Sequence, residues 1–332
     1  MLNYWRFRLC LTIVTSVVLA TEWTMAADMP IGPAWWPSRW GAADEAGASN
    51  WMTPEKVRTA VTLVKTGKTY RLGRDYEAGM PLFGTRVFAL RIPGAPTGGV
   101  LGNNKIVWHD EFLATEIGQV GTQFDGLGHI GVATGEPGDK AAMRFYNGIT
   151  EAEMATATGL QKLGVEKVKP LVTRGIVLDI TGLKGRMLRE GEEITVADLQ
   201  AALAHQDLAE TAITPGDAVL IHTGWGGLWM KDNARYGAGQ PGIGVEAAKW
   251  LAAKQVALVG ADNWGIEVGP NPDTALAFPA HQELLTKNGI FLQENLDLAE
   301  LVADRAWEVL YVFAPVPIKG ATGSPGSPIA IR

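Results

Sequence analysis

The chain is 332 residues long, enough for one large domain or two. Its 47% hydrophobic and 19% charged residues exclude a disordered polymer, and 40 glycines with 18 prolines weigh against a helical bundle. A formal charge of −6 makes nucleic acid and anionic membrane surfaces poor partners.

Residues 1–26 read as a secretory signal peptide. Arg6 and Arg8 precede the apolar run 9–20, and Thr24-Met25-Ala26-Ala27 follows as the cleavage region. The run is short for a membrane span. Its removal leaves 27 basic and 34 acidic residues, a net −7, and takes away Cys10, the only cysteine. The mature chain, 27–332, is expected to be a single exported domain, periplasmic or secreted, without disulfide or thiolate. A nucleophile must then be a hydroxyl, a carboxylate or an activated water.

The mature chain opens with Trp35, Trp36, Trp40 and Trp51, expected to pack an N-terminal arm onto the core or a neighbouring subunit rather than to touch substrate. Thr53 is a natural N-cap with Pro54 at the first helical position, which predicts a helix over 54–66. Strands are expected at 70–72, 85–92 and 105–108, separated by glycine and proline turns. Thr150 with Glu153, and Thr195 with Asp198, form capping boxes that open helices over 151–158 and 196–205. Apolar runs at 176–180, 218–223 and 256–260 read as buried strands. Helices at 196–205 and 245–254 alternate with them, which predicts a mixed α/β core rich in βαβ units. The final strand is expected at 309–313.

The densest chemistry lies in Gly118-Gln-Val-Gly-Thr-Gln-Phe-Asp-Gly-Leu-Gly-His129. In an extended strand, residues 119, 121, 123 and 125 share one face. Gly121 leaves space between Gln119 and Gln123, while Gly126 and Gly128 allow a turn that returns His129 to that face. Amide oxygens, a carboxylate and an imidazole around a small volume suit half of a metal site; a surface strand entering a glycine turn is the plainer alternative.

This stretch resembles the signature of the metal-dependent cyclase family, which includes kynurenine formamidase and isatin hydrolase relatives and reads His-x-Gly-Thr-His-x-Asp-x-Pro-x-His. Gly121, Thr122, Asp125 and His129 match. Gln119 and Gln123 stand at the first two histidines, and Leu127 replaces the proline. Gln123 fits a branch that reads Gly-Thr-Gln-x-Asp-x-Leu-x-His. A second block, Ala280-His281-Gln-Glu-Leu-Leu-Thr-Lys-Asn-Gly289-Ile-Phe-Leu-Gln-Glu294-Asn295, resembles the family segment that supplies a histidine and a glutamate to the metal site. Alone, His281 after Pro279 reads as a capping or surface residue. The wording around Arg39 to Gly41 and Asn50 to Glu55, and the closing Pro315 to Pro328, also resembles this branch. The resemblance implies a kynurenine formamidase-like swivelling β/β/α domain and a homodimer or homotetramer.

The implied site holds one or two divalent ions on Asp125, His281 and Glu294, with Gln123 as a neutral oxygen donor. Such a set is harder than a histidine-rich one and favours manganese, with zinc as the alternative. The ion would polarise a substrate carbonyl and acidify a water, with His129 as general base and then acid. The expected activity is hydrolysis of a small amide or cyclic amide. Lactone hydrolysis is the close variant, and a non-catalytic periplasmic small-ligand-binding relative is the opposed reading. Absence of a Gly-x-Gly-x-x-Gly after a strand weighs against an oxidoreductase. Asp262 matches a family Gly-x-Asp position but equally suits capping of its loop. Glu267 is a weaker candidate contact to substrate or metal. Asp110 reads as a turn residue, His205 as surface and His222 as a satisfied core histidine. The segment 315–328 is expected to wall a pocket or pack on a partner subunit.

Overall fold

Nine strands form one mixed sheet in the computed structural model, which describes residues 30–208 and 212–332; the leader expected at 1–26 lies outside the described residues. The strands are β1 (Thr69–Arg71), β2 (Gln123–Asp125), β3 (Leu171–Asp179), β4 (Ala218–His222), β5 (Leu258–Ala261), β6 (Phe291–Glu294), β7 (Glu308–Phe313), β8 (Gly323–Pro325) and β9 (Ile329–Ile331). Their order across the sheet is β1-β9-β7-β3-β4-β5-β6-β2-β8. Strands β3 to β6 run parallel at the centre. Antiparallel strands flank them, with β7, β9 and β1 on one side and β2 and β8 on the other.

The apolar runs have a direct cause. Strand β5 is buried throughout and β4 all but its last residue, so neither carries the polar alternation of a half-solvated strand. Helices α2 (Val196–His205) and α3 (Val245–Ala253) fill the β3–β4 and β4–β5 connections. They bury Leu199, Ala202 and Leu203, and Ala247, Ala248 and Leu251. The Thr195–Asp198 capping box forms as expected and starts α2. No helix among the described residues is long and apolar enough to cross a membrane.

Several boundaries differ. Helix α1 (Pro54–Val61) is shorter than 54–66, because the amides of Thr66 and Gly67 donate to Arg332 O at 2.9 and 2.7 Å. The Thr150–Glu153 box forms, but its helix covers only Glu151–Met154 before the chain enters a short strand pair. Strand β7 is followed by β8 and β9, and β8 pairs with β2 at the edge of the sheet. The tryptophans pack on the chain itself: Trp40 meets Trp51 edge-on at 5.8 Å, and Trp35 Nε1 donates to Phe145 O.

The largest correction concerns residues 118–122. The strand spans only Gln123–Asp125, and Gly118 and Gly121 have φ of 80° and 60°, so Gln119 sits in a turn rather than on an extended face. A Cβ at Gly121 would stand 2.7 Å from the Tyr76 ring in addition to its left-handed backbone. Gly121→Ala is therefore expected to cost at least about 1 kcal/mol from backbone strain alone, read as a lower urea midpoint.

Candidate metal centre

Strand pleating assembles the site. Gln123 and Asp125, two residues apart on β2, project to one face, and the ladder sets Gln123 opposite Glu294 of β6. Gln123 Nε2 donates to Glu294 Oε2 at 2.5 Å across this pair. His281 arrives from the helical turn Pro279–His281, which continues as the π-helical turns Gln282–Lys287. Its Nε2 lies 3.3 Å from Glu294 Oε1 and 3.8 Å from Asp125 Oδ2. One ligand atom each from Asp125, His281 and Glu294 falls within 4.8 Å of the others, and all three residues are buried.

The set fits a divalent ion. Asp125 Oδ2 is buried without a hydrogen-bond partner, and Asp125 and Glu294 place two carboxylates in one dry volume. Such burial is costly unless a cation compensates it. The strain shows in the titration. Burial and the Asp125 charge together push the Glu294 carboxyl well above its usual range. Burial disfavours the His281 imidazolium, yet hydrogen bonds to Glu267 and Glu294 outweigh it and hold that pKa high.

Glu267 has a sharper role than its sequence position indicated. It accepts from the backbone amides of Ala280 and His281, each at 3.0 Å, and from His281 Nδ1. That fixes the ring with Nε2 directed at Asp125 and Glu294, the usual way an outer carboxylate aims a ligating histidine. Glu267→Gln is expected to weaken metal affinity by about 10–100-fold, measured by competitive chelator titration, with the fold retained.

Each glutamine takes its orientation from the groups it bonds to. Arg86 can only donate, so Gln119 turns Oε1 toward it at 3.1 Å and Nε2 toward Asp125 Oδ1, also at 3.1 Å. Gln119 thus presents an amide N–H to the site and is no ligand in this arrangement. Gln123 gives its N–H to Glu294, which leaves Oε1 as its donor atom for an ion. His129 lies beside them, Nε2 at 3.9 Å from Asp125 Oδ1 and Nδ1 at 3.4 Å from Gln119 Nε2. Burial lowers the His129 pKa, only partly offset by Asp125, so the ring is neutral near pH 7.

Above the cluster is a cavity of about 190 Å³, lined by Gln119, Gln123, His129, His281 and Glu294 and by Arg86 and Tyr236. Phe83 and Trp264, stacked at 4.7 Å and 21°, form an aromatic wall with Phe278, whose ring meets His281 edge-on. Other sequence candidates lie elsewhere. Asp262 ties down the turn after β4 rather than its own loop, accepting from Thr223 N and Oγ1 and from Gly226 N. His222 bridges Asp179 at 2.9 Å and Asp262 at 3.7 Å, a satisfied core histidine. Asp110 and His205 are exposed.

A mixed sheet whose β2 and β6 strands, with one helical turn, bring together a buried Asp–His–Glu triad beside an aromatic pocket defines an α/β protein built around a divalent-metal centre. The chain belongs to the cyclase family, whose model matches residues 70–268. A solved structure described as a novel cyclase is 34% identical, with a TM-score of 0.76 over 88% of this chain and 98% of that one. The fold is also that of isatin hydrolase A from Labrenzia aggregata, 19% identical with a TM-score of 0.57 over 79% of this chain and 93% of that one. An isatin hydrolase bound to thioisatinate gives 18% identity and a TM-score of 0.56, covering 84% and 98% of the two chains. This is the kynurenine formamidase-like β/β/α domain that the signature implied. No curated protein matches the chain.

Proposed function

We propose that the protein is a metal-dependent hydrolase that cleaves a C–N bond in a small amide or cyclic amide. The observation that carries this reading is the buried Asp125–His281–Glu294 triad, whose His281 and Glu294 line a pocket that also holds a neutral His129. Asp125, His281 and Glu294 would hold the ion, with Gln123 Oε1 as a fourth donor. Two carboxylates, an amide oxygen and one imidazole favour manganese over zinc. A bound ion supplies Lewis acidity, polarising the scissile carbonyl and acidifying water.

The chain's own groups do the rest. The 3.4 Å approach of Gln119 to His129 Nδ1 is long, so that lone pair stays open to the proton of an attacking water. The imidazolium that results is stabilised by Asp125 on its Nε2 side. The same proton then passes to the departing nitrogen, which leaves as a neutral amine. Phe83, Trp264 and Phe278 offer flat apolar surface to a planar substrate and keep bulk water from the floor.

The test is a panel of aryl amides, lactams and lactones assayed with the manganese- and zinc-loaded protein and after chelation. Metal-dependent release of amine from an amide or lactam is the expected result. Turnover confined to lactones would move the reaction to C–O bonds. A fully metal-loaded protein that binds panel members without turnover would replace the hydrolase with a ligand-binding protein.

A further inference from the structure

Arg86 is the only lysine or arginine lining the pocket beside the triad. Its half-buried guanidinium donates to Phe83 O at 3.4 Å and to Gln119 Oε1 at 3.1 Å, and it lies over the Phe83 ring at 5.3 Å. Both acceptors are neutral, and no carboxylate among the described residues forms an ion pair with it. The Glu116 carboxylate accepts from the Val87 amide instead, at 2.7 Å. Arg174 and Arg186, by contrast, meet Asp217 and Glu192 at 2.6 and 2.8 Å. Arg86 therefore keeps charge and N–H groups available on the pocket side, in the fork that suits a carboxylate.

The charges facing the cavity balance without it. Asp125 and Glu294 offset a divalent ion, while Gln119, Gln123 and the neutral His129 add nothing. The Glu267 carboxylate lies behind the His281 ring, taken up by two backbone amides and Nδ1. The charge left to meet a bound molecule is the guanidinium's, and partial desolvation strengthens its pull on an anion. Gln119 alone separates Arg86 from the triad: its Oε1 takes the arginine N–H, and its Nε2 reaches Asp125 Oδ1 at 3.1 Å. One small molecule can therefore meet both. The cavity of about 190 Å³ has room for a single ring, since about 150 Å³ suffices for benzene.

We propose that the pocket selects anionic substrates: single-ring amides with a carboxylate close to the scissile bond, the carboxylate held by Arg86 and the carbonyl placed at the triad. This deepens the hydrolase reading above and rests on it. Arg86 is then a specificity-determining residue, and the Phe83 ring beneath it sets the guanidinium at the join between the aromatic wall and the metal centre.

The experiment is calorimetric titration of the metal-loaded full chain with ring-matched pairs of ligands. These are ortho-, meta- and para-acetamidobenzoate with the amide nitrogen replaced by methylene, ketones that cannot be cleaved, each beside the neutral primary amide of its carboxylate. The wild type is expected to bind at least one acid at least about tenfold more tightly than its amide. Arg86→Met is expected to abolish that preference, and Arg86→Lys to keep part of it, with metal content and circular dichroism unchanged in both. Equal affinity for acid and amide in every pair, or no binding of any acid, would overturn the proposal. So would a preference that survives in Arg86→Met, which would assign the carboxylate to the ion. No turnover enters this test, so its failure is separate from failure of the hydrolase reading, which rests on amine release from the amide panel.

Discussion

Asp125→Asn and His281→Ala are each expected to remove bound metal, from near-stoichiometric in the wild type to background, with loss of any metal-dependent turnover. The two residues belong to motifs far apart in the chain, so joint loss on mutation of either would establish one centre. Stability separates the variants further. Apo wild type buries an unpartnered Asp125 oxygen beside Glu294, and an ion that binds only the folded state should raise its melting temperature. Asp125→Asn relieves the like-charge crowding, so the apo variant should melt no lower than apo wild type and should not respond to manganese or zinc. His281→Ala instead leaves Glu267 without its imidazole partner and should melt lower. Elemental analysis and calorimetry with and without chelator check both halves. Retention of metal by either variant would remove that residue from the ligand set.

His129→Ala is expected to leave metal content unchanged and to lower turnover by about 10²–10⁴-fold, the usual contribution of a positioned general acid–base. Its placement supports this separation: its Nε2 stands 3.9 Å from Asp125 Oδ1, and its other nitrogen faces Gln119. His129→Gln, which retains hydrogen bonding but cannot take up a proton, should be equally slow. Turnover in either variant close to wild type would make His129 a pocket-lining residue and shift proton transfer elsewhere.

The fold was most legible where burial is two-sided or a cap is local. Strands β4 and β5, helix α2 and both capping boxes follow from a few consecutive residues. The pairing of Gln123 with Asp125 on one face likewise follows from strand pleating. Less legible were elements that depend on contacts made elsewhere. Helix α1 ends early because the C-terminal Arg332 captures the next turn's amides. The turn at 118–122 places Gly121 where the Tyr76 ring leaves no room for a side chain, a neighbour that no reading of residues 118–129 contains. Glu267 carried only a weak signal in its loop, since its partners are the amides and ring of a helix that begins twelve residues later.

Residue chemistry alone determined which groups are available to this protein: a carboxylate and an imidazole around Asp125 and His129, and a second imidazole and carboxylate at His281 and Glu294. The side chains set that repertoire, and their spacing within a strand or turn sets their local direction. Only the tertiary structure decided that β2 lies beside β6, bringing Gln123 against Glu294 across 171 residues of chain. Strand pairing is made by backbone groups that are identical at every residue, so the choice of neighbour is written in packing of the whole sheet. The same holds for Gln119, where a family histidine would stand. Its chemistry was plain in the sequence, but the direction of its amide was settled by Arg86, a donor from outside the motif.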